Sequence, residues 1–204
     1  KPRIDDTWII FLSDHGDMLG DHHLWRKTHP YEASTRVPLL FVPPVESDYP
    51  HGQVPDAIVE LRDVLPTLLE LLGMDVPGAA TGLSLAPMVR GERPSDWREY
   101  LHGEHVWCYS HEQANHFVTD GREKLVWFPY LDEYQYFDLE RDPDERFDFA
   151  RNPEAADRVA FWKQRLLETL REQGRSYVKD GQLVAVDRSF VPESPHWGEY
   201  ACRS

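Results

Sequence analysis

The sequence predicts an α/β fold in two parts, the edge of a large sandwiched sheet followed by a small antiparallel sheet with one long helix. Three observations predict it. Residues 7–12 and 37–42 are short, unbroken runs of β-forming apolar residues, the pattern of strands covered on both faces. Four short strand-like segments, at 100–108, 113–119, 124–128 and 134–139, follow one another with turn residues between them, which is the pattern of an antiparallel sheet. A helical stripe, Val159, Trp162, Leu166 and Leu170, comes last.

Taken in order, the strand at 7–12 suits a central parallel strand, and residues 13–20 then break regular structure with two glycines and several Asp and His residues. Ligand sites of open α/β sheets lie beyond the carboxyl ends of strands, and Asp14 and His15 stand at such an end. Pro43 and Pro44 close the second strand. Residues 53–61 read as extended. Asp63 is placed to cap a helix to about Leu72, with Pro66 in its first turn, Leu65, Leu68, Leu69 and Leu72 on one face, and Gly73 at its end. Residues 77–91 form a link with an apolar patch at 83–89. Asn152, Pro153 and Glu154 supply a cap, a first-turn proline and an acidic residue for the long helix, and Gly174 stops it. The proline-punctuated stretch 183–204 reads as a tail lying on a surface or a neighbouring subunit. The expected units are 1–95, 96–180 and a tail at 181–204.

Composition narrows the function. The 204 residues are 41% hydrophobic and 28% charged, ordinary for a globular protein, with a net charge of −14. That charge argues against nonspecific nucleic-acid binding, which needs a positive surface to displace counterions. It leaves room for an anionic substrate, since a metal ion and a local lysine reverse the field inside one cleft. The two cysteines, Cys108 and Cys202, make neither a disulfide framework nor a metal motif. No apolar run is long enough to span a bilayer. The chain begins at Lys1, without Met, a few residues before a strand, and so reads as truncated; the compartment stays open.

The chemistry concentrates in residues 13–27, SDHGDMLGDHHLWRK. A carboxylate and an imidazole at adjacent positions, with a turn at Gly16 to let them converge, suit a divalent cation; oxygen-rich company favours calcium or magnesium, more nitrogen favours zinc or manganese. The plain alternative is a capping Asp beside a hydrogen-bonded His. Lys27 suits an oxygen of a sulfate or phosphate group, against the ordinary alternative of a solvated surface lysine. His22, His23 and His29 are candidates for a general acid or for supporting contacts. Glu32 and Arg36 are expected to pair and brace the loop. Trp107, Tyr109, His111 and the tail near Trp197 are candidate substrate contacts.

This segment, with YEASTRVPL at 31–39, resembles the second half of the sulfatases of the alkaline phosphatase superfamily. The likeness continues in order through DVLPTLLELLG at 63–73, TGLSL at 81–85, GEH at 103–105, TDGREKL at 119–125 and FDLERDPDE at 137–145, and spans roughly residues 5 to 175. The resemblance implies an alkaline-phosphatase-like sandwiched sheet with a small C-terminal subdomain. It implies that Asp14 and His15 bind the active-site metal, usually calcium, with manganese or zinc open because His15 brings nitrogen. It implies that Lys27, thirteen positions beyond Asp14, contacts the sulfate.

The family's nucleophile is a formylglycine made within a Cys/Ser-x-Pro/Ala-x-Arg motif. Neither Cys108, followed by Tyr-Ser-His-Glu, nor Cys202 fits it, and the family's early Asp pair is absent. The expectation is therefore the C-terminal part of a sulfuric ester hydrolase whose nucleophile lies in an N-terminal half, the 204-residue piece alone being inactive. Expected partners are that half, a small-molecule or glycan sulfate ester, and a second copy if the enzyme is a homo-oligomer. The alternatives are a phosphonate monoester or phosphodiester hydrolase of the same superfamily, and a non-catalytic binding module that retains the scaffold.

Overall fold

The computed structural model describes residues 4–106, 108 and 110–186. Strand β1 (Ile9–Leu12) pairs with β2 (Leu39–Val42), with Phe11 opposite Leu40 and Leu12 opposite Leu39. The pairing is antiparallel, which corrects the parallel arrangement expected for β1 among the described residues. The cause lies in the intervening residues 13–38. They fold back on themselves around a one-turn helix α1 (Glu32–Thr35), so the second strand leaves beside the point where the first one entered. Side chains alternate across a strand, so Ile9, Phe11, Leu40 and Val42 share one face, and all four are exposed, Phe11 by 61%. The expected cover on both faces is thus absent among the described residues.

Helix α2 (Val64–Leu71) follows a 3-10 turn at Leu61–Asp63, and Gly73 ends it with φ 67°. Two expectations change here. Asp63 does not cap α2 with its side chain; its fully buried carboxylate accepts from the Glu60 and Leu83 amides at 2.9 and 2.8 Å and takes two bonds of 2.6 Å from Arg98. A buried carboxylate must be paired, and the arginine fork supplies the pairing. The expected leucine face is only partly covered among the described residues: Leu68 and Leu69 are half-buried and Leu65 and Leu72 exposed, while α2 buries Pro66 and Thr67. A second short helix, α3 (Ala86–Val89), packs against α2.

The second unit is the antiparallel sheet that the turn-separated segments predict, in order β3 (Leu101–His105), β4 (Asn115–Thr119), β5 (Glu123–Phe128) and β6 (Glu133–Asp138). Helix α4 (Ala156–Glu172) crosses one face and buries Val159, Trp162, Leu166 and Leu170 against Val118, Leu125, Trp127 and Tyr136. The Asn152 side chain caps the preceding turn by accepting from the Glu154 amide at 3.0 Å.

The opposite sheet face, carrying Val126 and Phe137, packs on Met18 and Tyr31 of the first unit. A hairpin of β7 (Val178–Lys179) and β8 (Gln182–Leu183) follows α4, its Asp180-Gly181 turn having positive φ at both residues. This hairpin takes up the start of what reads as a tail; residues 187–204, with Trp197 and Cys202, lie outside the described residues, as do Trp107 and Tyr109. No helix among the described residues is long and apolar enough to cross a membrane.

Candidate active site

The loop after β1 is shaped by Ser34. Its carbonyl accepts from the Gly16 amide at 2.8 Å, and its hydroxyl donates to the Lys27 carbonyl at 2.6 Å. One buried residue of α1 thereby draws together two points eleven residues apart in the chain. Gly16 is required for this approach: a Cβ there would stand 2.0 Å from the Ala33 carbonyl oxygen. Met18, 1% exposed, plugs the loop into the sheet. Four non-glycine residues of the loop, Leu19, His22, His23 and Arg26, hold positive φ, a concentration of strained backbone characteristic of functional loops.

Asp14, His15 and Lys27 come together at the mouth of this loop. The His15 Nδ1 lies 2.6 Å from the Gly16 carbonyl, which can only accept, so Nδ1 carries the ring proton. The Nε2 lone pair then faces outward, with Lys27 Nζ at 2.7 Å and Asp14 Oδ2 at 3.5 Å. Asp14 Oδ1 is occupied by the His15 amide at 3.1 Å, which leaves Oδ2 turned to the same point. The donor set is one carboxylate oxygen and one imidazole nitrogen with its tautomer fixed by a backbone bond, an arrangement that suits a divalent ion completed by further ligands.

A groove of about 760 Å³ opens beside them and is bordered also by His29, His105 and Asn115. Burial lowers the pKa of both His29 and His105, with the charges of His105 and His22 adding to the effect at His29, so both imidazoles favour the neutral form. The His105 Nε2 is buried without a hydrogen-bond partner.

His22 and His23 stand elsewhere. His22 Nε2 lies 3.1 Å from the Asp144 carbonyl and its ring stacks on Tyr31 at 4.1 Å, while His23 is exposed; neither borders the groove. His111 stacks on Tyr130 at 5.0 Å. Glu32 and Arg36 are 3.9 Å apart, but the stronger partner of Glu32 is Lys124 at 2.7 Å.

Lys124 is a finding that the sequence did not predict. It is fully buried, and its ammonium donates to the Pro30 carbonyl at 3.0 Å, to Glu32 at 2.7 Å and to Glu145 at 2.8 Å. Glu145 in turn accepts the Glu32 amide at 2.5 Å. These contacts fasten the small sheet to the residues leading into α1, and so to Ser34 and the site.

A second histidine group lies on the α4 face of the sheet. His116, 4% exposed, and His102 stack at 5.4 Å; burial, then neighbouring charge from His102 and Arg175, pushes His116 to about 3, and burial, then Arg175 and Arg62, pushes His102 to about 4. The unfolded chain takes a proton near pH 6.5 that folded His116 refuses until about pH 3, so stability is lost as pH falls below about 6.5. With chelator present, His116 is expected to remove on the order of 1–2 kcal/mol of stability between pH 7 and pH 5. Glu104, Arg175, His102 and Tyr177 face the ring. Melting curves across that range test this, with a flatter dependence expected for His116→Gln; an unchanged slope in the variant would contradict it.

With the geometry in view, the chain matches the family described as N-sulphoglucosamine sulphohydrolase, C-terminal, over residues 20–173. The chain belongs to this family of sulfatase C-terminal regions. It is 38% identical over 183 residues to an arylsulfatase of Clostridium perfringens, covering 89% of this chain and 37% of that protein. It is 37% identical over 176 residues to a multifunctional alkaline phosphatase superfamily protein of Trinickia caryophylli, covering 80% of this chain and 34% of that one.

Among solved structures, one in complex with its substrate D-glucosamine-2-N,6-O-disulfate aligns with a TM-score of 0.75 at 29% identity, over 83% of this chain and 35% of that one. A phosphonate monoester hydrolase from Silicibacter pomeroyi aligns with a TM-score of 0.70 at 32% identity, over 82% and 35% respectively. The chain spans about a third of the length of the relatives it matches. The expected α/β sulfatase architecture is therefore the one observed.

Proposed function

We propose that these residues form one wall of the active site of a metal-dependent sulfuric ester hydrolase. The observation that carries the reading is the convergence of Asp14 Oδ2, His15 Nε2 and Lys27 Nζ at one point beside a groove. Asp14 and His15 would hold a divalent ion, calcium first, with manganese or zinc also compatible with the mixed donors. Such an ion supplies charge that polarises the ester's non-bridging oxygens. Lys27 places an ammonium where negative charge gathers on the transferring group, and His29 and His105 line the way in. The nucleophile, a formylglycine on family grounds, comes from the rest of the enzyme. The exposed apolar face of β1 and β2 is where that N-terminal half would pack, since an apolar patch of paired strands is normally covered.

The test uses the full-length enzyme and an aryl sulfate. Asp14→Asn and His15→Gln should each lower kcat/KM by about a hundredfold or more and lower bound metal in step, and chelation should do the same reversibly to the parent. Full activity in either variant would refute the assignment. The 204-residue chain on its own should show no turnover, and robust activity from it would contradict a nucleophile in the other half.

A second reading is a phosphonate monoester or phosphodiester hydrolase, favoured by the 32% identity to a phosphonate monoester hydrolase and by the multifunctional relative. Sulfate and phosphonate monoesters differ in charge, so the ratio of kcat/KM for an aryl sulfate and an aryl phosphonate decides between the two. The D-glucosamine disulfate bound in the 0.75 TM-score structure makes sulfated amino sugars the first natural class to try.

A further inference from the structure

On the α4 face of the sheet, β3 and β4 carry a set of side chains that the proposed reaction does not use, although His102 and Glu104, on the outer strand, also border the groove. Glu104 stands directly opposite His116 in the register, and His102 is two residues from Glu104, so all three share the α4 face; His105 and Gly103 alternate to the other face. His102 Nε2 and His116 Nδ1 are 3.1 Å apart, and His116 Nδ1 is 3.6 Å from Glu104 Oε2. One donor atom from each residue lies within 4.8 Å of the others.

We propose that His102, Glu104 and His116 form a second metal site, for a divalent transition metal of the zinc class. Ligands at 2.0–2.1 Å in a tetrahedron stand about 3.3 Å from one another, and the separations of 3.1 and 3.6 Å bracket that length. Two nitrogens and one carboxylate select zinc-like ions over calcium, which takes six or more oxygens. Three protein ligands leave a fourth position for water.

The outer contacts are in place as well. Arg175 Nη2 holds Glu104 Oε1 at 2.6 Å, turning Oε2 toward His116. Gln173 Nε2 lies 3.4 Å from His102 Nδ1. On binding, the His102 proton moves from Nε2 to Nδ1, and the Gln173 carboxamide, turned end for end, accepts it. Both imidazoles are held neutral well below pH 7 by burial, so their lone pairs are available to an ion. β3 is the edge strand of its sheet, and Gln173 and Arg175 follow the end of α4. An ion here would pin that edge to β4 beside the end of the helix.

The experiment uses the full-length protein carrying Asp14→Asn and His15→Gln, stripped with chelator, so that the first site is silent whether or not the proposed function holds. Cobalt(II) titration should show one equivalent with the visible absorption of a tetrahedral nitrogen–oxygen site, and zinc should raise the melting temperature. His102→Gln and Glu104→Gln should each weaken cobalt binding about tenfold or more. Glu104 is a third exposed and its variant decides the matter should His102→Gln fold poorly. Absence of the cobalt spectrum in the parent, or its persistence at full affinity in Glu104→Gln, would overturn the proposal.

Discussion

Replacing Lys124 by methionine is expected to cost the full-length protein about 3–5 kcal/mol of stability, the penalty for breaking a buried ion pair from one side. The change leaves the Glu145 carboxylate buried, and Glu32 loses its 2.7 Å partner. Methionine keeps the length and the contact with the Phe117 ring, 5.5 Å from Nζ, so charge and hydrogen bonding are what is lost.

Burial already raises the pKa of Glu145, and Lys124 is what opposes it. A carboxyl with a raised folded pKa stabilises the protein below its unfolded pKa and ceases to do so as pH rises. Without Lys124 the upward pull strengthens. The deficit of Lys124→Met relative to the parent should therefore narrow as pH falls and Glu145 takes a proton. Denaturant melts of the parent, Lys124→Met, Glu145→Gln and the double variant close a cycle. The double variant should lose clearly less than the sum of the two single losses. A single-variant loss below about 1 kcal/mol would mean that water reaches the pair and that the clamp is a surface bridge.

That clamp also shows where sequence reading stops. The strands at 115–128 and the helix from 156 are legible because turn-bounded runs and a 3.6-residue stripe are properties of consecutive residues. Lys124 reads as the first residue of a strand after an Asp-Gly turn, a place where lysine normally meets water. Its burial depends on Pro30 and Glu32, more than ninety positions away. The same reason explains Asp63. Its position before Val64 is that of a helix cap, but Arg98, thirty-five residues on, arrives to take the carboxylate.

The antiparallel pairing of β1 with β2 is not legible in the sequence because an unbroken apolar run is common to parallel and antiparallel strands. Pairing direction was set by how residues 13–38 close, through Ser34. The β7–β8 hairpin, by contrast, carries a local signal, Asp180-Gly181 between short extended pieces. The His102, Glu104 and His116 set was legible in half. His and Glu two apart on one strand share a face, but the cross-strand register that adds His116 comes only with the fold.

Removing the Lys27 ammonium, as Lys27→Met in the full-length enzyme, is expected to lower kcat/KM about 10²–10³-fold, the usual loss for one donor aimed at developing charge. The structure offers Lys27 two roles that predict different kinetics. Its Nζ sits 2.7 Å from His15 Nε2, so it could act merely by orienting His15. In that case the variant should lose metal affinity, and added metal should restore the rate. The orienting role is already filled, though: the Gly16 carbonyl fixes the ring through Nδ1 at 2.6 Å, and Asp14 is held by the His15 amide. Lys27 is also exposed at the groove mouth, its backbone carbonyl held by Ser34 and its ammonium in contact with His15 Nε2, an exposed contact that an incoming anion would compete for. The expected result is therefore a fall mainly in kcat with bound metal unchanged, since an interaction that strengthens in the transition state is lost there. Lys27→Arg should recover only part of the rate, because a planar fork does not reproduce a point charge at one oxygen. A variant that loses its metal, or whose KM alone rises, would move Lys27 from the reacting group to the support of His15.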